Sequence, residues 1–220
     1  MLTNACPTCG TDLATVPGPS CPECGAAKGI PGVIAEGNGL FDSRPAFSET
    51  VGIDSNCLSY IIDVLEGVPE PADELARQKS ALARLFFYRR ETLWATPTVK
   101  AECLPIRNAR RRALHESWMN VHFGPLPLNN PERVKTRAVE LQAFHGDKDD
   151  CTILAEAEDM GFDVLLSYDE EFIDRLGKHS EVRLMKPAPY WESLKFPRGS
   201  PPSRMPAYGN PLGWQSWWRW

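Results

Sequence analysis

The stretch that decides the fold is 51-VGIDSNCLSYIIDVLEG-67, at the start of the central region of the chain. A short apolar run ends at Asp54, and apolar residues then recur at helical spacing from position 58 to position 65. Ser55 is expected to cap this helix and Gly67 to end it. The pattern predicts a buried strand that leads directly into an amphipathic helix.

Strand-like and helix-like patterns continue to alternate beyond this unit, as far as residue 187. Strands that alternate with helices predict an α/β fold, with a central parallel sheet that is covered by helices on both faces. The other expected strands are 93–95, 163–167 and 182–185, and the other expected helices begin near residues 71, 97, 131, 149 and 170.

Length and composition limit what the chain can be. Its 220 residues are 42% hydrophobic, which suits one ordinary domain with small additions and excludes a disordered chain. No apolar run approaches the ~20 residues of a membrane-spanning helix, and the N-terminus lacks a signal-peptide pattern. We therefore expect a cytoplasmic protein without a membrane partner. The expected division is a zinc ribbon (1–28), a Gly- and Pro-rich linker (29–49), the α/β domain (50–187) and a Pro- and Trp-rich tail (188–220).

The seven cysteines of a cytoplasmic protein are expected to be thiols or metal ligands and not disulfides. Two CPxCG elements, at 6–10 and 21–25, each present two thiolates on a tight turn. Four thiolates in a closed tetrahedron suit a structural Zn²⁺, although rubredoxin-like iron or redox-active cysteines would also fit the pattern. The single cysteines at 57, 103 and 151 are expected to pack in the core. The expected zinc ligands are Cys6, Cys9, Cys21 and Cys24.

Four carboxylates follow strands or open helices in this pattern. Asp54 and Asp169 come just after two expected strands, and the carboxyl ends of parallel strands face one crevice. Glu102 and Asp150 belong to nearby helices, where they would complete a negative pocket. Clustered carboxylates repel one another unless a divalent cation lies between them, and Mg²⁺ or Mn²⁺ held in this way promotes phosphodiester hydrolysis. Each acid taken alone also fits a structural role, as a helix cap, a turn residue or a surface residue.

Four short motifs resemble those of PIN-domain ribonucleases and occur in the same order. The segment 51-VGIDSN-56, with the helix after it, resembles the opening of that family, and 96-TPTVKAE-102 resembles its second acidic motif. The segments 150-DCTILAEA-157 and 162-FDVLLSYDEEF-172 resemble the third and fourth motifs. The resemblance covers residues 50–187 and is closest to the toxin-type nucleases of bacterial and archaeal toxin–antitoxin pairs.

The resemblance implies an endoribonuclease that uses one or two Mg²⁺ or Mn²⁺ ions to hydrolyse single-stranded or structured RNA. The ribbon, the long segment 105–146 and the tail distinguish the chain from compact toxins, so an RNA-processing nuclease stays open beside a toxin. A non-catalytic RNA- or protein-binding module with a PIN-like fold stays open as well, and so does a DNA-directed nuclease. The implied metal ligands are Asp54, Glu102, Asp150 and Asp169, with Asp149 and Asp147 as additional carboxylates and with Asn56 and Ser167 as polar neighbours of the first and fourth acids.

A metal-bound water is expected to be the nucleophile, so no side-chain nucleophile is needed. The four histidines show no pairing in the sequence that would indicate one. Basic residues are concentrated in 84–137, which carries eleven basic and four acidic side chains in a chain of net charge −5. Such a segment predicts either a track for a polyanion or a solvated helix face. If the acids form the site, the arginines expected to contact RNA phosphates are Arg107, Arg110, Arg111 and Arg112.

The end of the tail carries four tryptophans, at 214, 217, 218 and 220. Docking of this apolar end on its own domain or on a partner is favoured over stacking on RNA bases. Besides RNA, the partners left open by the sequence are an antitoxin or another protein, and a second copy of the chain.

Overall fold

A computed structural model describes residues 33–35 and 49–220, with the exception of residues 90, 104, 107, 124–126 and 207–209. Within these residues the chain has the expected α/β architecture, in which a small parallel sheet is flanked by helices. The expected zinc ribbon at 1–28, with Cys6, Cys9, Cys21 and Cys24, lies outside the described residues, as does nearly all of the linker.

The described residues form six strands: β1 (Val33–Ala35), β2 (Val51–Ile53), β3 (Leu93–Trp94), β4 (Val164–Leu166), β5 (Arg183–Met185) and β6 (Arg204–Pro206). Four of them build the central sheet in the order β3-β2-β4-β5, and each neighbouring pair is parallel. In the middle of the sheet β2 pairs with β4, with Ile53 opposite Leu166. Gly52 is required by close packing here, because a Cβ at that position would lie 2.4 Å from the ring of Phe162.

The helices that flank the sheet are α1 (Ser55–Leu65), α2 (Ala76–Tyr88), α3 (Pro97–Glu102), α4 (Ala109–His122), α5 (Pro131–Leu141), α6 (Lys148–Asp159), α7 (Glu170–Leu176) and α8 (Pro187–Ser193). The helices expected from the sequence are confirmed, with shifts at their ends. The largest shift is at the start of α2, which begins five residues later than expected because a turn at Asp73 comes first. There the Asp73 side chain accepts a hydrogen bond from the backbone N–H of Leu75 at 3.0 Å.

The predicted cap of α1 was wrong by one residue. Asp54, and not Ser55, is the N-cap, and its carboxylate accepts a hydrogen bond from the backbone N–H of Cys57 at 2.7 Å. Both residue types are good caps. The difference arises because Asp54 keeps the extended backbone of the strand, whereas Ser55 is already helical. The first acid of the expected site is therefore also the residue that starts α1.

The sequence did not predict α4. Its first turn is capped by Asn108, whose side chain accepts a hydrogen bond from the backbone N–H of Arg111 at 3.0 Å. The segment ARRRALHESWMNVH opens with three arginines and has no continuous apolar stripe, so the helical period is weak. His115 and Met119 nevertheless point inward and are buried.

The described residues between 187 and 220 pack against other parts of the chain. The backbone N–H of Ala188 in α8 donates to the side chain of Gln78 in α2 at 2.8 Å, and β6 pairs with β1 in an antiparallel ladder. Trp218 is fully buried, with its ring centroid 4.5 Å from that of Phe87. The expected docking of the tail is confirmed for Trp217 and Trp218. The three single cysteines, Cys57, Cys103 and Cys151, are buried as expected.

Trp218→Ala is expected to lower the free energy of unfolding by about 3–5 kcal/mol, the usual cost of removing a buried aromatic side chain. The indole N–H of Trp218 also donates to the carbonyl of Leu212 at 3.0 Å, and that acceptor would lose its partner. Urea denaturation followed by circular dichroism measures the change. The matched control is Trp214→Ala, because Trp214 is 86% exposed and its loss should cost less than about 0.5 kcal/mol. Equal losses in the two variants would contradict the packing of the tail.

Candidate functional site

The carboxyl ends of the two central strands bring the first and fourth acids together. Asp54 follows β2 and is buried, and Asp169 lies three residues after β4 and is exposed. Ser167 links them, because its hydroxyl donates to Oδ2 of Asp54 at 2.5 Å and accepts from the backbone N–H of Asp169 at 2.9 Å. Asp169 in turn caps α7 through the backbone N–H of Phe172 at 3.0 Å. Ser167 thus holds the first acid and the turn that carries the fourth.

The third acid lies at the start of α6. The N-cap of this helix is Asp147, whose carboxylate accepts from the backbone N–H of Asp149 at 2.8 Å. Asp150 is therefore not the cap, and its side chain lies in the first turn. There Oδ2 of Asp150 is 2.7 Å from Nε2 of His145, a residue to which the sequence assigned no role. A histidine a few residues before an acidic helix start is the signal that was available in the sequence.

The second acid is held in place through a buried contact between two helices. Glu102 is the exposed last residue of α3. Glu156 of α6 is only 4% exposed, and its carboxylate accepts from the backbone N–H and from the hydroxyl of Thr98, each at 2.9 Å. This contact fixes the start of α3 against the helix that carries Asp150. Sequence reasoning missed Glu156, although a charged residue within the apolar run ILAEA is an unusual signal.

Burial and neighbouring charge make the first two acids harder to ionise. Burial raises the pKa of Asp54, and the charge of Asp169 adds to this, while hydrogen bonds from Ser167 and Cys57 act in the opposite direction. The pKa of Glu102 is also raised, first by burial and then by the charges of other carboxylates, against a hydrogen bond from the Ser55 side chain. The carboxylates that act on Glu102 are Asp149, Asp147 and Asp54.

Asp150 shows the same effect. Burial raises its pKa to about 6, with further increases from the charges of Asp147 and Asp169 and a decrease from the hydrogen bond with His145. The acids in question follow β2 and β4, end α3 and open α6. They therefore lie near enough to influence one another's ionisation. We call this set the acidic crevice, and its members are Asp54, Glu102, Asp147, Asp149, Asp150 and Asp169.

The donors of the acidic crevice are carboxylate oxygens, the donor type that hard divalent cations prefer. Among the described residues, no lysine or arginine forms an ion pair with any of its six carboxylates. The nearby Lys186, which follows β5, is paired with Glu170 instead. In the described part of the chain, no group of three or more His, Cys, Asp or Glu side chains is arranged so that it could hold a metal ion as it stands. Oxygen donors with an incomplete protein shell suit Mg²⁺ or Mn²⁺, since Mg²⁺ usually keeps several of its waters.

Contacts are described for two of the four arginines that are expected to bind RNA phosphates, Arg111 and Arg112. Arg111 is ion-paired with Asp63 at 2.7 Å, nine residues along α1 from Asp54 and so about 13 Å away along the helix axis. Arg112 contacts the carbonyl of Ile106 at 3.5 Å. Arg107 and the side chain of Arg110 lie outside the described residues.

Two other basic residues of the segment 84–137 have structural contacts. Arg89 is fully buried, and Arg84 donates to the carbonyl of Trp217 at 3.1 Å. The remaining polar candidate, Asn56, is exposed in the first turn of α1 and forms no side-chain hydrogen bond with a described residue. The described arginines of this segment thus contact several different parts of the chain.

Comparison with known proteins adds no relative. No protein-family model matches the sequence, and a search of curated proteins gives no match. In the part of the chain that the structure describes, no helix is both long enough and apolar enough to cross a membrane.

The raised pKa of Asp150 has a consequence for stability. Between the ordinary aspartate pKa of 3.8 and about 6 the folded protein binds more protons than the unfolded chain, so the stability that Asp150 contributes is present below pH 3.8 and is lost as the pH rises through 6. In metal-free buffer at pH 7.5, Asp150→Asn should therefore raise the free energy of unfolding by about 2 kcal/mol, less than the ~3 kcal/mol of the whole pKa shift because solvent screens the half-buried carboxylate. The gain should shrink toward pH 4.

Thermal denaturation at pH 7.5 and at pH 4.5 measures this difference. Glu181→Gln is the matched control, because Glu181 is an exposed acid just before β5, at the opposite edge of the sheet, and its loss should leave Tm unchanged at both pH values. A lower Tm for Asp150→Asn at pH 7.5 would show that partners of the carboxylate outweigh its burial and repulsion.

Proposed function

We propose that this protein is a Mg²⁺- or Mn²⁺-dependent endoribonuclease that hydrolyses RNA phosphodiesters at the acidic crevice. The observation that carries the proposal is that carboxylates from four separate segments lie near one another without a basic partner from Lys or Arg among the described residues, and that burial and neighbouring negative charge raise the pKa values of three of them, Asp54, Glu102 and Asp150. Holding these charges together costs stability, and a site that retains such a cost is typically a functional one. The resemblance of four motifs to PIN-domain ribonucleases supports the same chemistry.

The residues that would hold the cation are Asp54, Glu102, Asp150 and Asp169. A bound divalent cation would lower the pKa of a coordinated water and offset negative charge on the leaving oxygen. The chain contributes a carboxylate that is already oriented: one oxygen of Asp54 accepts from Cys57 and the other from Ser167. Because these donors are fixed at the end of a buried strand, Asp54 requires little reorganisation when it binds.

The side chains around the crevice favour water as the nucleophile. The hydroxyl of Ser167 is fully buried and donates to Asp54, so it cannot reach a phosphodiester. His145 is 6% exposed and its Nε2 faces Asp150. Neither side chain is exposed to attack a substrate directly, which supports hydrolysis without a covalent intermediate on the protein.

Single-stranded RNA is the proposed substrate class. The crevice is built from strand ends and helix starts, and its first acid is buried, so a flexible unpaired backbone reaches it more easily than a duplex does. Both roles implied by the resemblance, a toxin and an RNA-processing nuclease, use this chemistry. An antitoxin would be the partner in the first role only.

Cleavage of a labelled, mixed-sequence single-stranded RNA in Mg²⁺ and in Mn²⁺ tests the proposal. We expect cleavage by the wild type, and a loss of about 100-fold or more in Asp54→Asn and in Asp150→Asn, because each variant removes one charge that holds the cation. Cleavage should also stop in EDTA. Glu181→Gln is again the control and should cleave at the wild-type rate, since it removes an exposed acid outside the crevice.

Other outcomes of the same assay would contradict the proposal. Cleavage that survives both Asn substitutions would assign the activity to another site or to a contaminant. RNA binding that is equally strong in EDTA, with no cleavage in either metal, would indicate a non-catalytic binding module. Faster cleavage of a DNA of the same sequence would indicate a DNA-directed nuclease.

A further inference from the structure

His145 is placed against the acidic crevice by the turn between α5 and α6. Its backbone N–H donates to the carbonyl of Leu141 at 3.2 Å, and its own carbonyl accepts from the thiol of Cys151 at 3.5 Å. The imidazole lies beside the ring of Phe172 in α7, with the ring centroids 6.3 Å apart. The side chain is 6% exposed, and it contacts Phe172 of α7 and Asp150 of α6.

The contact with Asp150 determines where the imidazole carries its proton. When Asp150 is ionised its carboxylate only accepts hydrogen bonds, so in that state the Nε2 atom that lies 2.7 Å from Oδ2 is the donor. The other ring nitrogen, Nδ1, is buried and has no hydrogen-bond partner among the described residues. Within the described part of the chain, the imidazole therefore has one polar contact, and that contact is with an acid of the crevice.

The hydrogen bond makes the two carboxylate oxygens of Asp150 different from each other. His145 occupies Oδ2, and no described residue donates a hydrogen bond to Oδ1. A donor on one oxygen fixes the rotation of the carboxylate and leaves the second oxygen available. Hydrogen-bond partners that orient a metal ligand commonly increase the affinity of the site for the metal.

We propose that His145 is a positioning residue that orients the Asp150 carboxylate for divalent-cation binding. The inference rests on the function proposed above, since it assigns a supporting residue to the same crevice. It adds a residue outside the four motifs and makes a claim about cation affinity that can be measured without RNA.

The test is Mn²⁺ binding to the full chain, followed by the electron paramagnetic resonance signal of free Mn²⁺. His145→Leu removes the donor and should weaken Mn²⁺ binding about 10- to 100-fold. His145→Gln, which can offer an amide N–H in place of Nε2, should stay within a few-fold of the wild type. Should the Leu variant fail to fold by circular dichroism, His145→Met carries the same test.

The matched control is His115→Leu. His115 is also buried, at 1% exposure, and neither of its ring nitrogens has a hydrogen-bond partner among the described residues. Its replacement perturbs packing in α4 without touching Asp150, so Mn²⁺ affinity should be unchanged. RNA cleavage by His145→Leu should recover as Mn²⁺ is raised, which a general loss of packing would not allow.

The outcomes separate this inference from the proposed function. Wild-type affinity in His145→Leu, with weakened binding in Asp150→Asn, would overturn the role of His145 alone. Equal weakening in the Leu and Gln variants would show that packing, and not the donor, matters. A wild type that binds no Mn²⁺ at the crevice would overturn the proposed function and this inference with it.

Discussion

The hydrogen bond between the Ser167 hydroxyl and the Asp54 carboxylate is the contact on which the rest of the site depends. It joins the ends of the two central strands, where the backbone N–H of Asp54 also donates to the carbonyl of Leu166 at 3.0 Å. Asp54 starts α1 and Ser167 holds the turn that starts α7, so one buried contact sets the positions of two helices and two acids. The arrangement concentrates negative charge, and the folded chain tolerates this because the surrounding core is large and well packed.

Much of the fold could be predicted from the sequence because its signals are local. Apolar runs followed by helical periods identify β2 with α1 and β4 with α7, and alternation of strands with helices implies a parallel sheet. The capping residue of α1 was misplaced because Asp54 and Ser55 are both good caps, and only the backbone conformation separates them. The helix α4 was missed because its sequence is polar and basic, and its burial of His115 depends on tertiary contacts that no local pattern records.

The site was predictable in part. The parallel sheet places Asp54 and Asp169 at one edge, and this follows from topology alone. The contacts that orient the acids could not be derived in this way, because they join residues on different elements. Glu156 reaches Thr98 across 58 positions of sequence, and Ser167 reaches Asp54 across 113. For a related reason, charge along the chain does not show that Arg89 is buried or that Arg111 is paired with Asp63.

Anomalous X-ray scattering from crystals soaked in Mn²⁺ tests the central claim most directly, because it locates the cation independently of activity. The account predicts an anomalous peak in the acidic crevice, at about 2.2 Å from a carboxylate oxygen of Asp54 and within reach of Asp150 or Asp169. Peaks only elsewhere on the chain, or no peak in crystals whose crevice is open to solvent, would contradict the assignment of these carboxylates as a cation site.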